Sequence, residues 1–361
     1  MKKVLLGTSA LIAAAAISAP AMAQEQIQLG IGGKMEQYFG VTSIDDDAAG
    51  FDPTTTGINT DAEVYFTGAT TLDNGLTVGA VIQLEAQTNA NVTFNADEQY
   101  AYIEGAFGQL RAGQKNGILQ DLAHTAPQIG ISFLDAASFV PSAGLAVGTS
   151  QSKLVDTTVS DDSASVSYIT PTLAGFSAGV TFNPNPGGAL QANQEDGAGT
   201  HNKFQVGLAY NGEFSGVGIG VDGSYQTEEA DDAIVGADDP TVWRAGLNLA
   251  YAGFQAGGSY LRSEDTADTE TTTWDAGVAY GVGPYQVGVG YVQTEVDDGT
   301  VANDVDEYRQ VQLSGSYQMG PGIKAVGGLF WYESESNVGL GTTTTNERDG
   351  GGGIVGLALT F

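Results

Sequence analysis

The sequence contains no cysteine, which excludes disulfides and thiolate metal sites. Basic residues are scarce: 12 Lys and Arg stand against 43 Asp and Glu, for a net charge of −31. A field of that sign excludes nucleic acid as a partner and attracts cations. No apolar run reaches the roughly 20 residues of a spanning helix, so helical membrane insertion is excluded. There is no G-x-S-x-G elbow, no phosphate-binding glycine loop and no metal-ligand spacing. The two histidines, His124 and His201, fall in stretches read as loops, and no reaction is assigned.

What is present begins with a secretory signal over residues 1–23. Lys2 and Lys3 open it, Leu5 to Ile17 form a short apolar core, and Ala21-Met-Ala23 is a cleavage site. The domain proper is then 24–361. An exported chain without disulfides needs another source of stability, such as closed strand pairing. Glycine supplies 52 of the 361 residues and sits inside alternating segments as well as between them. That fits a barrel, where strands curve or a lumen needs room, better than a soluble sandwich.

About sixteen alternating stretches can be counted. Short turns (Asp73-Asn-Gly75, Gly108-Gln109, Ala252-Gly253, Gly283-Pro284, Gly320-Pro-Gly322) alternate with longer, mostly acidic loops. Short turns on one side and long loops on the other mark a transmembrane antiparallel β-barrel. The faces agree. Tyr285, Val287, Val289 and Tyr291 share a face, as do Trp243, Ala245, Leu247, Leu249 and Tyr251. Aliphatics bounded by aromatics suit a lipid-facing wall. No fixed short repeat suggests a β-helix. One stretch breaks the alternation for about forty residues, 117–160, and so long a loop inside a β protein is expected to be functional. It is expected to fold into the lumen and narrow it.

Parity places Lys34, Arg111, Lys115, Lys203, Arg244 and Lys324 on the lumen side, together with the acids Glu63, Glu85, Glu98 and Glu104 and the aromatics Tyr100 and Tyr102. Asp121 and Asp135 on the long loop are expected to face that wall. Phe133 and Phe139 are expected to pin the loop against it. The acidic outer loops are candidate Ca²⁺ ligands, weakly at Asp45, Asp46 and Asp47, with no EF-hand spacing. Divalent ions there would bridge to phosphates at the membrane surface.

Ser165-Val-Ser-Tyr-Ile-Thr-Pro171, Leu173-Ala-Gly-Phe-Ser-Ala-Gly179, Gln28-Leu-Gly-Ile-Gly-Gly33 and the terminal Gly356-Leu-Ala-Leu-Thr-Phe361 carry a resemblance. Over its whole length after residue 23 the chain resembles a Gram-negative general diffusion porin of the alphaproteobacterial type. The resemblance implies sixteen strands, a homotrimer with contacts at the first and last strands, and a third loop folded inward. It further implies acids on that loop opposite bases on the barrel, and a terminal Phe361 read by the outer-membrane assembly machinery. The Pro-Glu-Phe-Gly-Gly motif of enteric members is absent from the loop. The implied function is passive diffusion of small hydrophilic solutes and ions, with cations favoured by the acidic balance. The alternatives are a substrate-selective channel for sugars or a small anion, and a barrel serving chiefly as a surface anchor.

Overall fold

Alternation of apolar and polar side chains becomes sixteen strands in the computed structural model, which describes residues 27–46, 54–86, 96–140, 157–158, 162–186, 199–231, 237–297, 305–337 and 345–361. The signal segment 1–23, Asp47 and residues 141–156 and 159–160 of the long loop lie outside the described residues. The strands are β1 (Gln28–Asp46), β2 (Thr56–Thr71), β3 (Thr77–Glu85), β4 (Ala96–Gly105), β5 (Gly108–Gln114), β6 (Ala164–Ile169), β7 (Phe176–Asn183) and β8 (Thr200–Phe214). They continue with β9 (Val217–Ala230), β10 (Thr241–Tyr251), β11 (Phe254–Glu264), β12 (Glu270–Val282), β13 (Tyr285–Asp297), β14 (Val305–Gly320), β15 (Ile323–Asn337) and β16 (Thr345–Thr360). Each pairs antiparallel with its sequence neighbours, and β1 pairs with β16, closing the barrel. The seam ends where Gly33 and Phe361 exchange backbone hydrogen bonds of 2.8 and 3.1 Å.

Closure satisfies every strand edge, as a wall in hydrocarbon requires. The alternation of connections holds around the ring. One differs in place: the β4–β5 turn is Ala106-Phe107, and Gly108 already belongs to β5, with φ +108°. His201 sits on β8 rather than in a loop.

The outward face carries exposed apolar side chains such as Leu29, Leu208, Leu247, Val278, Val289 and Leu329. Two aromatic bands bound them. Near the short turns, Phe176 meets Tyr210 at 4.8 Å, Phe254 meets Tyr280 at 4.5 Å, and Tyr285 stacks on Tyr317 at 4.9 Å. Near the long loops, Trp243 meets Tyr260 at 5.2 Å and Trp274 meets Tyr291 at 4.9 Å. The bands do not circle the barrel. Strand pairing turns Tyr38, Tyr65, Tyr100 and Tyr102 inward, so β16 and β1 to β5 present no outward Tyr or Trp.

The described part of the long loop forms two short helices absent from the sequence reading, α1 (Ile118–Asp121) and α2 (Phe133–Ala137). Ser132 and Asp135 make a reciprocal capping box at the start of α2.

Candidate functional site: the inner wall and its loop

Residues 117–140 run along the inner face of the barrel, from β7 past β15 to β1 and β2. Inward polar side chains catch their backbone. Thr181 on β7 accepts from Ile118 N at 3.2 Å, and Gln205 on β8 accepts from Leu119 N at 3.4 Å. Asp222 on β9 accepts from His124 N at 2.6 Å, and Asp275 on β12 accepts from Ala126 N at 2.8 Å. On β14, Gln312 donates to Ile131 O at 2.9 Å and Gln310 to Phe133 O at 3.1 Å. A loop away from bulk water needs these partners for its backbone groups.

Inward glycines make room for its side chains. A methyl group on Gly207 would stand 2.8 Å from Ile118, one on Gly288 3.0 Å from Ile129, and one on Gly290 2.7 Å from Phe133. Phe139 lies against Gly40 and Gly57. Phe133 and Phe139 thus pin the loop, as expected. The second half of the segment also buries Ile131, Phe133, Ala136, Ala137 and Val140 among Val292, Tyr308, Phe330, Tyr332 and Ile354. These apolar inward residues of β13 to β16 were not singled out from the sequence. Their signal is a strand apolar on both faces, as in Leu329-Phe-Trp-Tyr332.

The inner wall of β1 to β5 carries most of the predicted site residues. Lys34 faces inward and pairs with Asp61 at 2.9 Å and Glu63 at 2.8 Å. Lys115 pairs with Glu98 at 3.1 Å and stands 5.4 Å from the centre of the Tyr100 ring. Gln83 donates to Glu63 at 2.9 Å and to Asp97 at 2.7 Å, while Tyr65 donates to Glu63. Oxygens of Glu63, Glu85 and Asp97 approach within 4.8 Å of one another, a hard-ligand set by chemistry. Asp61 and Asp97, not singled out from the sequence, belong to the same wall; strand parity was the signal for Asp61, whereas Asp97 adjoins the inward Glu98 and reaches the wall at the register shift between β3 and β4, which parity does not show.

Other predicted residues stand differently. Asp121 faces the basic wall, in direct contact with it rather than across open lumen. It ion-pairs directly with Arg111, which is 5% exposed, and its other oxygen is 3.8 Å from Lys115. Both bases belong to the chain just before the loop, so short sequence separation brings the pair together. Asp135 is spent on its own helix: it accepts from Ser132 N at 2.8 Å and from Tyr38 at 3.5 Å. Burial pushes its carboxyl above the ordinary range, with the Ser132 hydrogen bonds opposing. Arg244 points inward but lies beneath the loop, 2% exposed, bound to Asp222. Glu104 stands by the short β4–β5 turn, accepting from Gln109 at 2.9 Å. Lys203 pairs with Glu228 at 3.1 Å, and Lys324 lies exposed beside the β14–β15 turn. Asp45 is exposed at the end of β1 opposite Asp349; the side chain of Asp46 is outside the described residues.

The sequence profile of the Gram-negative porin family matches residues 10–337. No curated protein matches the sequence significantly. Among solved structures, the fold is similar to the trimer form of OmpT, an outer membrane protein of Vibrio cholerae, at 12% identity over 93% of this chain and 100% of that one, with a TM-score of 0.62. It is similar to the anion-selective porin from Comamonas acidovorans, at 17% identity over 93% and 100%, TM-score 0.62. It is also similar to the outer membrane channel DcaP of Acinetobacter baumannii, at 11% identity over 93% and 97%, TM-score 0.63. These likenesses show the fold, and the profile covers nearly the whole chain. The chain belongs to the Gram-negative porin family and is an integral β-barrel of the outer membrane.

Proposed function

We propose that the protein is a trimeric, cation-preferring channel for passive diffusion of small hydrophilic solutes and ions, of the alphaproteobacterial general-diffusion type. The long loop is its constriction. One observation carries the selectivity. On β1 to β5 the inward carboxylates Glu36, Asp61, Glu63, Glu85, Asp97, Glu98 and Glu104 outnumber Lys34, Arg111 and Lys115, and each of those bases is already paired with an acid. Paired bases contribute little field, so the surplus carboxylates set the sign seen by a passing ion.

The trimer reading is supported by the gap in the aromatic bands. Wall that faces lipid takes Tyr and Trp at its interfaces, and wall that faces protein has no such need. The gap on β16 and β1 to β5 marks the contact between copies. Phe361, at the end of the seam, serves as the assembly signal, and the acidic outer loops meet lipopolysaccharide through divalent ions.

Single-channel recording of the purified protein in a planar bilayer under a potassium chloride gradient tests the reading. The expected result is large steps in groups of three with a reversal potential favouring cations. Anion preference would assign the field to Lys34, Arg111 and Lys115 after all. Absence of large steps would overturn the general-diffusion reading and leave a specific channel. Tyr65, Tyr100 and Tyr102 on the open wall make sugar the substrate to try first in that case.

A further inference from the structure

Beneath the first half of the loop lies a buried ionic group with one titratable member at its surface. Asp222 and Arg244 have side chains that are 0% exposed, and they pair with each other. A buried pair of this kind is stable only when its remaining valences are met. Arg244 meets them on the loop: it donates to His124 O and to Thr157 O, both at 2.9 Å. It therefore holds two points far apart in sequence, one on the outgoing and one on the returning limb. Thr157 is further held by Ser259 at 2.5 Å and Asp275 at 2.9 Å.

The imidazole of His124 completes the group. Nδ1 lies 3.1 Å from Asp222 Oδ1, and Nε2 lies 2.9 Å from Asn211 Oδ1. Both partners are acceptors, and only the imidazolium carries a proton on each nitrogen. The ring fits because β9 has Gly220 there; a methyl group would stand 2.6 Å from Cδ2 and Nε2. Its side chain is 13% exposed, so water reaches it. The groups facing it are Asp222 from β9, Arg244 from β10 and the neutral Asn211 from β8.

We propose that His124 is a positioning residue whose proton holds the loop against the wall, so that the channel's open state depends on its protonation. The proposal rests on the reading of this loop as the constriction. Deprotonation leaves Nε2 with a lone pair toward Asn211 Oδ1 and takes the positive charge from beside Asp222, weakening the bond that Nδ1–H still donates to it. The group is held less firmly at its surface, and residues 118–126 are held less tightly with it.

The direction follows from the surroundings. Burial disfavours the imidazolium, but the hydrogen bonds to Asp222 and Asn211 and the charge of Asp222 outweigh it, raising the His124 pKa above its ordinary value near 6.5. A raised pKa means that the holding contribution is fully present below 6.5 and is lost as the pH rises through the folded value. The loop is tight on the acid side and loosens on the alkaline side.

The test is open-channel current noise in a planar bilayer between about pH 5 and 9, bracketing the ordinary histidine range. Wild type is expected to show a single rise in noise with a midpoint above 6.5. His124→Gln is expected to abolish the rise. Asn211→Asp, at an exposed position, gives the ring a second carboxylate and is expected to move the midpoint upward. Glu85→Gln is expected to leave the rise in place, which separates His124 from the lumen acid whose Oε2 has no partner. A flat wild-type profile, a rise that persists in His124→Gln, an unmoved midpoint in Asn211→Asp or a rise lost in Glu85→Gln would each overturn the proposal. Absence of any conductance would instead overturn the channel reading beneath it.

Discussion

Gly290 shows how a single missing side chain shapes the lumen. Its neighbours along β13 alternate as a lipid-facing strand should, and its inward face is where Phe133 rests, 2.7 Å from any methyl group placed there. Gly290→Val forces the ring off the wall. Overpacking of this sort costs about 1–3 kcal/mol, so the variant should melt earlier and conduct with altered step size; unchanged melting would show that the loop yields freely. The sequence displayed the glycine excess and the parity of every inward charge, but not what the glycines make room for. Strand parity says which face a residue occupies. It does not say whether water or a loop lies above it. That is why Lys34 and Arg244 read alike in sequence and stand in different surroundings: one on the open wall beside Asp61 and Glu63, the other sealed beneath His124 and Thr157.

At the level of elements, the ring divides into strands that meet the loop with polar inward side chains and strands that are apolar on both faces. β10 is of the first kind, with Arg244 inward, and outwardly its Leu247 is exposed to the bilayer between Trp243 and Tyr251. Leu247→Arg should cost about 2–4 kcal/mol, as charges do at the lipid-facing midplane. Reduced yield of inserted protein, with selectivity unchanged in what does insert, is the outcome to measure; normal yield would mean that this face does not meet lipid. β15 is of the second kind, with Leu329 and Trp331 outward and Phe330 and Tyr332 packed inward on the loop. Strand existence and facing were legible from period-two alternation. The turns of α1 and α2 were not, because each is a single short turn held by the barrel rather than by its own amphipathic pattern. The Ser132-x-x-Asp135 spacing was the one local trace of α2.

Across the whole molecule, the aromatic bands distinguish two kinds of outer wall. Ile58 on β2 is 75% exposed and lies within the sector that has no outward Tyr or Trp. Ile58→Lys should therefore weaken the proposed trimer, seen as a loss of oligomer in detergent solution, while single barrels still insert. Retention of the oligomer would move the contact elsewhere. The sixteen-fold ring itself was legible from the sorting of short turns and long loops. The interruption in its bands was not, because it emerges only when Tyr38, Tyr65, Tyr100 and Tyr102 are all placed inward together. The seam between β1 and β16 has its own consequence for how the molecule comes into being. β16 follows every other strand in the sequence, so the sheet keeps two bare edges, each a row of unsatisfied amides and carbonyls, until the final residues arrive. No partial product is a smaller version of the finished wall. The nascent sheet must be sheltered as an open strip, and the exchange between Gly33 and Phe361 is the last stitch that makes the structure admissible to hydrocarbon.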